Sequence, residues 1–345
     1  MSKNQGDGVC IRMNMDGHTS NTYVSPVSSK DIACGIDGEK GVSRVCPAKT
    51  SSILTFEFRE APNDVNSLPL DESHKGPAAV YMKKVSSATD SNNAAGDGWF
   101  KIWESVYDRE NGKWGTTKMI ENDGHISVRV PDDIEGGYYL VRTELLALHA
   151  ASDNPPDPQF YVGCAQVFIE SNVTTTNPGR RPETVFIGEG TYTLENPALT
   201  FNIYDKPLKL PYPPLGPPVY KPRSNADLPG ESNSHLQVQR DRTQIKGLKP
   251  AGCIFVNGNW CGFEVPAYND EAECWVASDD CWRQSDNCWA ETQPTGYGYC
   301  TEWSKKCEEI QDSCSSGRFP GPPNAGQDIT PPWKKLGEGA TEIFY

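Results

Sequence analysis

The chain has 345 residues, 46 acidic and 32 basic, for a net charge of −14; this balance excludes a nucleic-acid partner and an anionic membrane surface but leaves an uncharged polysaccharide compatible. The length suits one large or two modest domains, no apolar run approaches a membrane span, and the opening MSKNQGDGVC lacks the hydrophobic core of a signal peptide. The 12 cysteines, with no CxxC pair among them, read as disulfides formed in an oxidising compartment and not as zinc ligands. A chain of that kind is expected to be secreted, with Met1 not its natural beginning.

Between residues 8 and 204 short β-type runs alternate with turn residues: ILTFEFRE, AAVYMKKV, WFKIWESVY, ISVRVP, GYYLVRTELLALHA, QFYVGCAQVFIE, ETVFIG and LTFNIY. Spacing of this kind predicts an antiparallel β-sandwich of the immunoglobulin or fibronectin III type. In QFYVGCAQVF the alternation sets Gln159 and Tyr161 on one face and Phe160, Val162 and Cys164 on the other. His149 falls on the Leu145/Ala147 face of the preceding run, so a hairpin would bring it near Gln159 and Tyr161. Polar side chains at a sheet edge can be no more than satisfied surface groups, and this segment alone does not decide the matter. His125, in NDGHISVRV, reads as a turn histidine before a strand. Asn172-Val173-Thr174 is a glycosylation sequon on a surface loop.

The prolines of DKPLKLPYPPLGPPVYKP forbid a central strand and favour an extended surface segment. That segment closes a first domain over 1–220. Residues 221–250, which include His235, are polar and aperiodic and read as a linker. The remainder, 251–345, forms a cysteine- and tryptophan-rich tail. Cys274, Cys281 and Cys288 recur every seven residues, as do Cys300, Cys307 and Cys314. Seven residues are nearly two helical turns, so each trio lines one helix face. With Gln293-Pro294-Thr295-Gly296 as the turn, an antiparallel helical hairpin would nest the pairs Cys274–Cys314, Cys281–Cys307 and Cys288–Cys300. Cys253–Cys261 follows by elimination. Trp275, Trp282 and Trp289 repeat the same period, either packing beside the disulfides or offering a stripe that stacks on sugar rings.

His74 lies in DESHKGPAAVYMKKV, in a loop just before a strand. The order H-x-G-P before a strand, WFKIWE, GGYYLVRTELLALHAA, QFYVGCAQ and a Y-x-P-x-G-P-type segment resembles the fungal lytic polysaccharide monooxygenases of auxiliary activity family nine, formerly glycoside hydrolase family 61. The resemblance is collinear over roughly residues 8–220. It implies one mononuclear copper site on the flat end of the sandwich. His74 matches the internal copper ligand, Tyr161 the axial tyrosine, and His149 with Gln159 the pair that hydrogen-bonds the reacting oxygen species. Tyr212 matches a surface aromatic that stacks on a glucose ring. The resemblance also implies a disulfide between Cys34 and Cys164, which leaves Cys10 to pair with Cys46.

The implied activity is copper-dependent oxidation at C1 or C4 of cellulose or a related β-1,4-glucan, using O2 or H2O2 and an external electron donor, by a monomer. No carboxylate pair suited to glycoside hydrolysis stands out. In this family the second ligand is a histidine at the mature N-terminus, binding through its amine and its ring. The chain begins Met-Ser-Lys-Asn, and His18 is internal, so its backbone nitrogen is an amide. The expectation is therefore a mature chain that starts with a histidine upstream of Met1. Two further readings stay open: a non-catalytic polysaccharide-binding relative without a complete histidine brace, and a secreted wall protein whose tail is the functional part.

Overall fold

The computed structural model describes residues 6–16, 19–64, 66–173, 182–222, 243–292 and 294–330. Alternating β-branched and aromatic residues form a mainly antiparallel sheet from β1 (Ile11–Arg12), β2 (Cys46–Lys49), β4 (Ala78–Val85), β5 (Gly96–Ser105), β7 (Gly137–Ala147), β8 (Gln159–Glu170) and β9 (Val185–Ile187). Its order is β1-β8-β7-β4-β5-β9, with β2 pairing in parallel with β8 beyond β1. A second, two-stranded sheet pairs β3 (Ile53–Glu57) with β6 (His125–Arg129).

The larger sheet is buried on both faces. Val80, Met82, Val141, Leu145 and Val167 meet Ile126 and Val128 of the second sheet and Met119 of α1 (Gly115–Glu121), which gives the sandwich core. On the opposite face Tyr81, Leu140, Leu146, Phe160 and Phe168 are covered by Ile32 of a short 3-10 helix, Lys30–Ala33, and by loop residues Tyr192, Leu199, Phe201 and Leu215. The fold is thus the mostly-β antiparallel sandwich that the run spacing predicts. LTFNIY, however, is not a strand. Asn202 accepts from the Tyr204 amide at 2.9 Å and donates to Asp205 Oδ1 at 3.0 Å, a side-chain turn that competes with ladder pairing. The proline segment after it lies across the sheet: Lys101 Nζ donates to Leu215 O at 2.7 Å and the Tyr220 amide to Lys101 O at 2.7 Å.

The C-terminal region holds a β-hairpin, β10 (Cys253–Asn257) and β11 (Trp260–Phe263), and two antiparallel helices, α2 (Glu271–Glu291) and α3 (Tyr297–Ser315). The two-residue turn between the paired Asn257 and Trp260 is Gly258-Asn259, with Gly258 at φ 55° supplying its left-handed first position. Asp270 caps α2 by accepting from the Glu273 amide at 2.9 Å, and Glu273 returns a bond to the Asn269 amide at 3.0 Å. Trp303 is fully buried against the rings of Trp260 and Phe255. All 12 cysteines are paired: Cys10–Cys46, Cys34–Cys164, Cys253–Cys261, Cys274–Cys314, Cys281–Cys307 and Cys288–Cys300.

Residues 243–250 lie against the sandwich. The Val45 amide donates to Gly247 O at 2.9 Å, and the Tyr138 hydroxyl accepts from the amides of Ile245 and Lys246. Asn259, in the β10–β11 turn, bridges the two regions: its Oδ1 accepts from the Cys10 amide at 2.9 Å and its Nδ2 donates to Gly8 O at 3.1 Å. His18, Thr174 and His235 lie outside the described residues.

Candidate active site

In the β7–β8 pairing Leu145 stands opposite Tyr161 and Ala147 opposite Gln159. His149, two residues beyond Ala147, therefore reaches the same end of the pair. His74 arrives from the chain entering β4, whose Lys75 and Pro77 carbonyls accept from the Leu148 and Leu146 amides at 2.9 and 3.0 Å. Only glycine fits between them: a Cβ on Gly76 would sit 1.9 Å from the Leu146 carbonyl oxygen. Thr116, in the first turn of α1, holds that approach by accepting from the Gly76 amide at 3.0 Å.

The His74 and His149 rings lie 4.2 Å apart between centroids, and the Tyr161 ring lies 5.7 Å from His74. Ser73 Oγ is 3.2 Å from His74 Nδ1, so Nε2 is the nitrogen left for a ligand. Burial, and then the neighbouring His149, push the His74 imidazole below its ordinary range, which favours the neutral ring that a metal binds. His149 Nδ1 is buried and has no hydrogen-bond partner among the described residues. Tyr161 donates to Gln159 Oε1 at 2.9 Å, and Gln159 Nε2 donates to Asp157 Oδ2 at 3.2 Å. The Tyr23 hydroxyl donates to the same carboxylate oxygen at 3.1 Å. Burial, with Tyr23 as the next cause, raises the Tyr161 phenol to about 12 and keeps it protonated.

Imidazole nitrogen and a neutral phenol are donor types that suit copper. The buried, unpartnered His149 nitrogen beside His74 fits a site built to engage a further group. Among the described residues no cluster of three or more His, Cys, Asp or Glu side chains is placed to hold a metal; the side chains gathered at this end that match the expected donors are His74 and Tyr161, with His149 beside them.

Tyr212 is not a surface residue. It is 8% exposed, donates to Ala198 O at 2.9 Å and packs edge-on against Trp114 and Phe201. The aromatic cluster under the proline segment draws the ring inward, whereas Tyr204, earlier in the chain, is 59% exposed. Asn172 is exposed just beyond β8. Of the tryptophans on α2, Trp282 and Trp289 rest partly buried on the disulfide core while Trp275 is exposed. Asp157, Tyr23, Ser73 and Thr116 were not singled out from the sequence. For Ser73 a signal exists, because Asp71 in the D-x-S-H stretch accepts from the Ser73 amide at 2.8 Å and shapes the loop that presents His74.

Residues 1–212 match the model of Auxiliary Activity family 9 (formerly GH61). The AA9 family lytic polysaccharide monooxygenase C of Aspergillus tamarii is 57% identical over 341 residues, which span 99% of this chain and 89% of that protein. The AA9 family lytic polysaccharide monooxygenase A of Emericella nidulans is 51% identical over 99% of this chain, which spans 58% of that protein's length. Among solved structures, CvAA9A superposes with a TM-score of 0.54 at 28% identity, covering 63% of this chain and 92% of its own. Both relatives match through the helical hairpin as well as the sandwich. With a family model over most of the sandwich and a relative of that identity over nearly its whole length, the chain belongs to Auxiliary Activity family 9, the lytic polysaccharide monooxygenases.

Proposed function

We propose that this protein is a secreted oxidoreductase that cleaves cellulose or a related β-1,4-glucan with copper, taking electrons from an external donor and oxygen from O2 or H2O2. The observation that carries this reading is the pairing of His74 with His149 at the Tyr161/Gln159 end of the sandwich, where a buried imidazole nitrogen has no partner of its own among the described residues. A copper ion held there supplies one-electron chemistry towards oxygen. His74 would be the ligand contributed by this region, through Nε2, with Ser73 fixing the ring by its other nitrogen. Tyr161, kept a neutral phenol, would be a further oxygen donor facing that ion. His149 and Gln159 would orient the oxygen species, His149 holding or releasing a proton at Nδ1 and the Gln159 amide donating a hydrogen bond without giving up its proton. Asp157 keeps that amide turned with its oxygen towards Tyr161. The brace would be completed by the amine and ring of a histidine at the mature N-terminus. In this reading the sandwich over 1–220 is the catalytic unit, 221–250 connects, and 251–345 is an accessory region. Six disulfides support an oxidising compartment, and Asn172 is the proposed glycan attachment point.

The test is ascorbate-driven release of oxidised oligosaccharides from swollen cellulose by protein recovered from the source organism's culture fluid, with its N-terminus sequenced. His74→Ala should abolish tight copper binding and lower the rate by about a hundredfold or more. Gln159→Leu should leave copper bound but slow oxidation about tenfold or more. Full activity in His74→Ala would overturn the site. Cellulose binding without any oxidised product would favour the non-catalytic relative.

A further inference from the structure

Away from the histidines, an open cleft of about 490 Å³ runs between the sandwich and the C-terminal region. Ser43 of the sandwich lies on one side of it, and the β10–β11 hairpin and one face of α2 form the rest. The volume falls within the range of small-ligand sites, and junctions between structural units are where such sites concentrate. The Phe263 ring is 42% exposed in it, beside the largely buried Trp260.

The polar wall is organised before any ligand arrives. The Phe263 amide donates to Gln284 Oε1 at 2.8 Å, Gln284 Nε2 donates to Asp280 Oδ2 at 2.8 Å, and Asp280 is ion-paired with Arg283. Asn287 and Glu291 follow on the same helix face, at spacings of three and four residues that keep them in line with Asp280 and Gln284. Their amide and carboxylate have no protein partner among the described residues. Asn259, which also lines the cleft, is committed to the junction through the Cys10 amide and Gly8 O, so the floor is fixed to the sandwich.

We infer that this cleft is a second saccharide-binding site that takes a neutral β-linked glucan chain. An exposed aromatic ring beside planar amide and carboxylate groups matches a sugar's two kinds of surface. The ring covers the C–H face, and the planar polar groups bridge adjacent hydroxyls. The charge balance rules against an anionic ligand: Arg283 answers Asp280, Lys306 answers Glu264 at 3.0 Å, and Glu291 is left unneutralised in a chain of net charge −14. The region joins the sandwich beside Ala165 and Gln166 of β8, roughly 20 Å along that strand from Gln159. A chain held here would therefore not occlude the histidines. The two sites could engage one polysaccharide surface together and raise local concentration at the reacting end. The inference rests on the polysaccharide reading for the choice of ligand, but it does not depend on copper.

The experiment is a titration of the full, copper-free chain with cellohexaose, followed by NMR shifts or calorimetry. Oligogalacturonide serves as the anionic comparison and His74→Ala as a control at the other site. Phe263→Ala and Asn287→Ala alter exposed side chains, so thermal unfolding should not move. Each should weaken cellohexaose binding by about tenfold, while His74→Ala leaves it unchanged. Absence of binding up to about 5 mM, an affinity indifferent to both cleft variants, or equal binding of the anionic chain would each overturn the proposal. Because copper is absent throughout, failure of the copper site in the activity assay and failure of the cleft are separate results.

Discussion

In the sandwich, two apolar layers clamp the larger sheet, and only two of the six disulfides fasten it, both at β8 or the segments beside it. In the C-terminal region the inward face of α2 is Cys274, Ala277, Ser278, Cys281, Ser285 and Cys288, which is small and only weakly apolar, and four disulfides lie within or beside two helices. The first region is held by burial of large side chains on both faces of a sheet; the second sets a smaller aromatic core of Phe255, Trp260 and Trp303 beside covalent rungs across a helix face that itself buries little hydrocarbon. A small unit whose core is limited gains stability from such rungs.

Reduction should therefore separate the two regions, and this is the largest effect expected. The nested bridges close separations of 40, 26 and 12 residues, and chain entropy assigns each about 3–4 kcal/mol. With all bridges reduced, amide hydrogen exchange should lose its protection across α2 and α3 while the paired centre of β7 and β8 stays protected. Helices that survive full reduction would refute the comparison.

The converse experiment strikes the sandwich. Arg142 is fully buried, donates twice to Ile32 O at 3.0 and 2.8 Å, and pairs with Glu144 at 2.6 Å. Tyr192 adds a hydroxyl bond to the same carboxylate at 2.9 Å. Arg142→Ala leaves Glu144 buried without its counter-charge, and the expected loss is about 3–5 kcal/mol in denaturant unfolding. The helical hairpin should keep its exchange protection in that variant. If both regions lose protection together, the sandwich and the hairpin form one cooperative unit.

The two regions also differed in how far the sequence could be read. The hairpin was legible because a single period, seven, sets both the helix face and the pairing of cysteines. In the sandwich, alternation gave the faces of β8, and the order of motifs singled out His74, Gln159 and Tyr161, which lie together at one end of the β7–β8 pair. What remained hidden depends on tertiary contact. Nothing in H-x-G-P states that a Cβ at Gly76 would strike the Leu146 carbonyl, or that Thr116 would hold the approach. Tyr212 was misread because a proline segment has no periodicity to say which side faces the core, and two neighbouring aromatics, Trp114 and Phe201, decided it. LTFNIY has strand composition, yet one asparagine side chain turns it.

The smallest expected effect concerns the tryptophans of α2, and it asks whether the hairpin owes anything to side-chain packing beyond its disulfides. The Trp282 indole N–H donates to Gln311 Oε1 of α3 at 3.0 Å, while its ring rests partly buried on the disulfide core. Trp282→Phe keeps an aromatic ring against the core and removes the donor. For a partly solvated neutral hydrogen bond the cost should be about 0.5–1.5 kcal/mol. Gln311→Ala should cost no more than that, and in a double-mutant cycle the pair should recover most of one single loss. A loss several times larger would mean that packing rivals the covalent rungs in this region, and the contrast with the sandwich would then be one of degree. A loss near zero, with cellulose binding weakened instead, would make Trp282 part of a sugar-stacking stripe with Trp275, which is 37% exposed on the same helix.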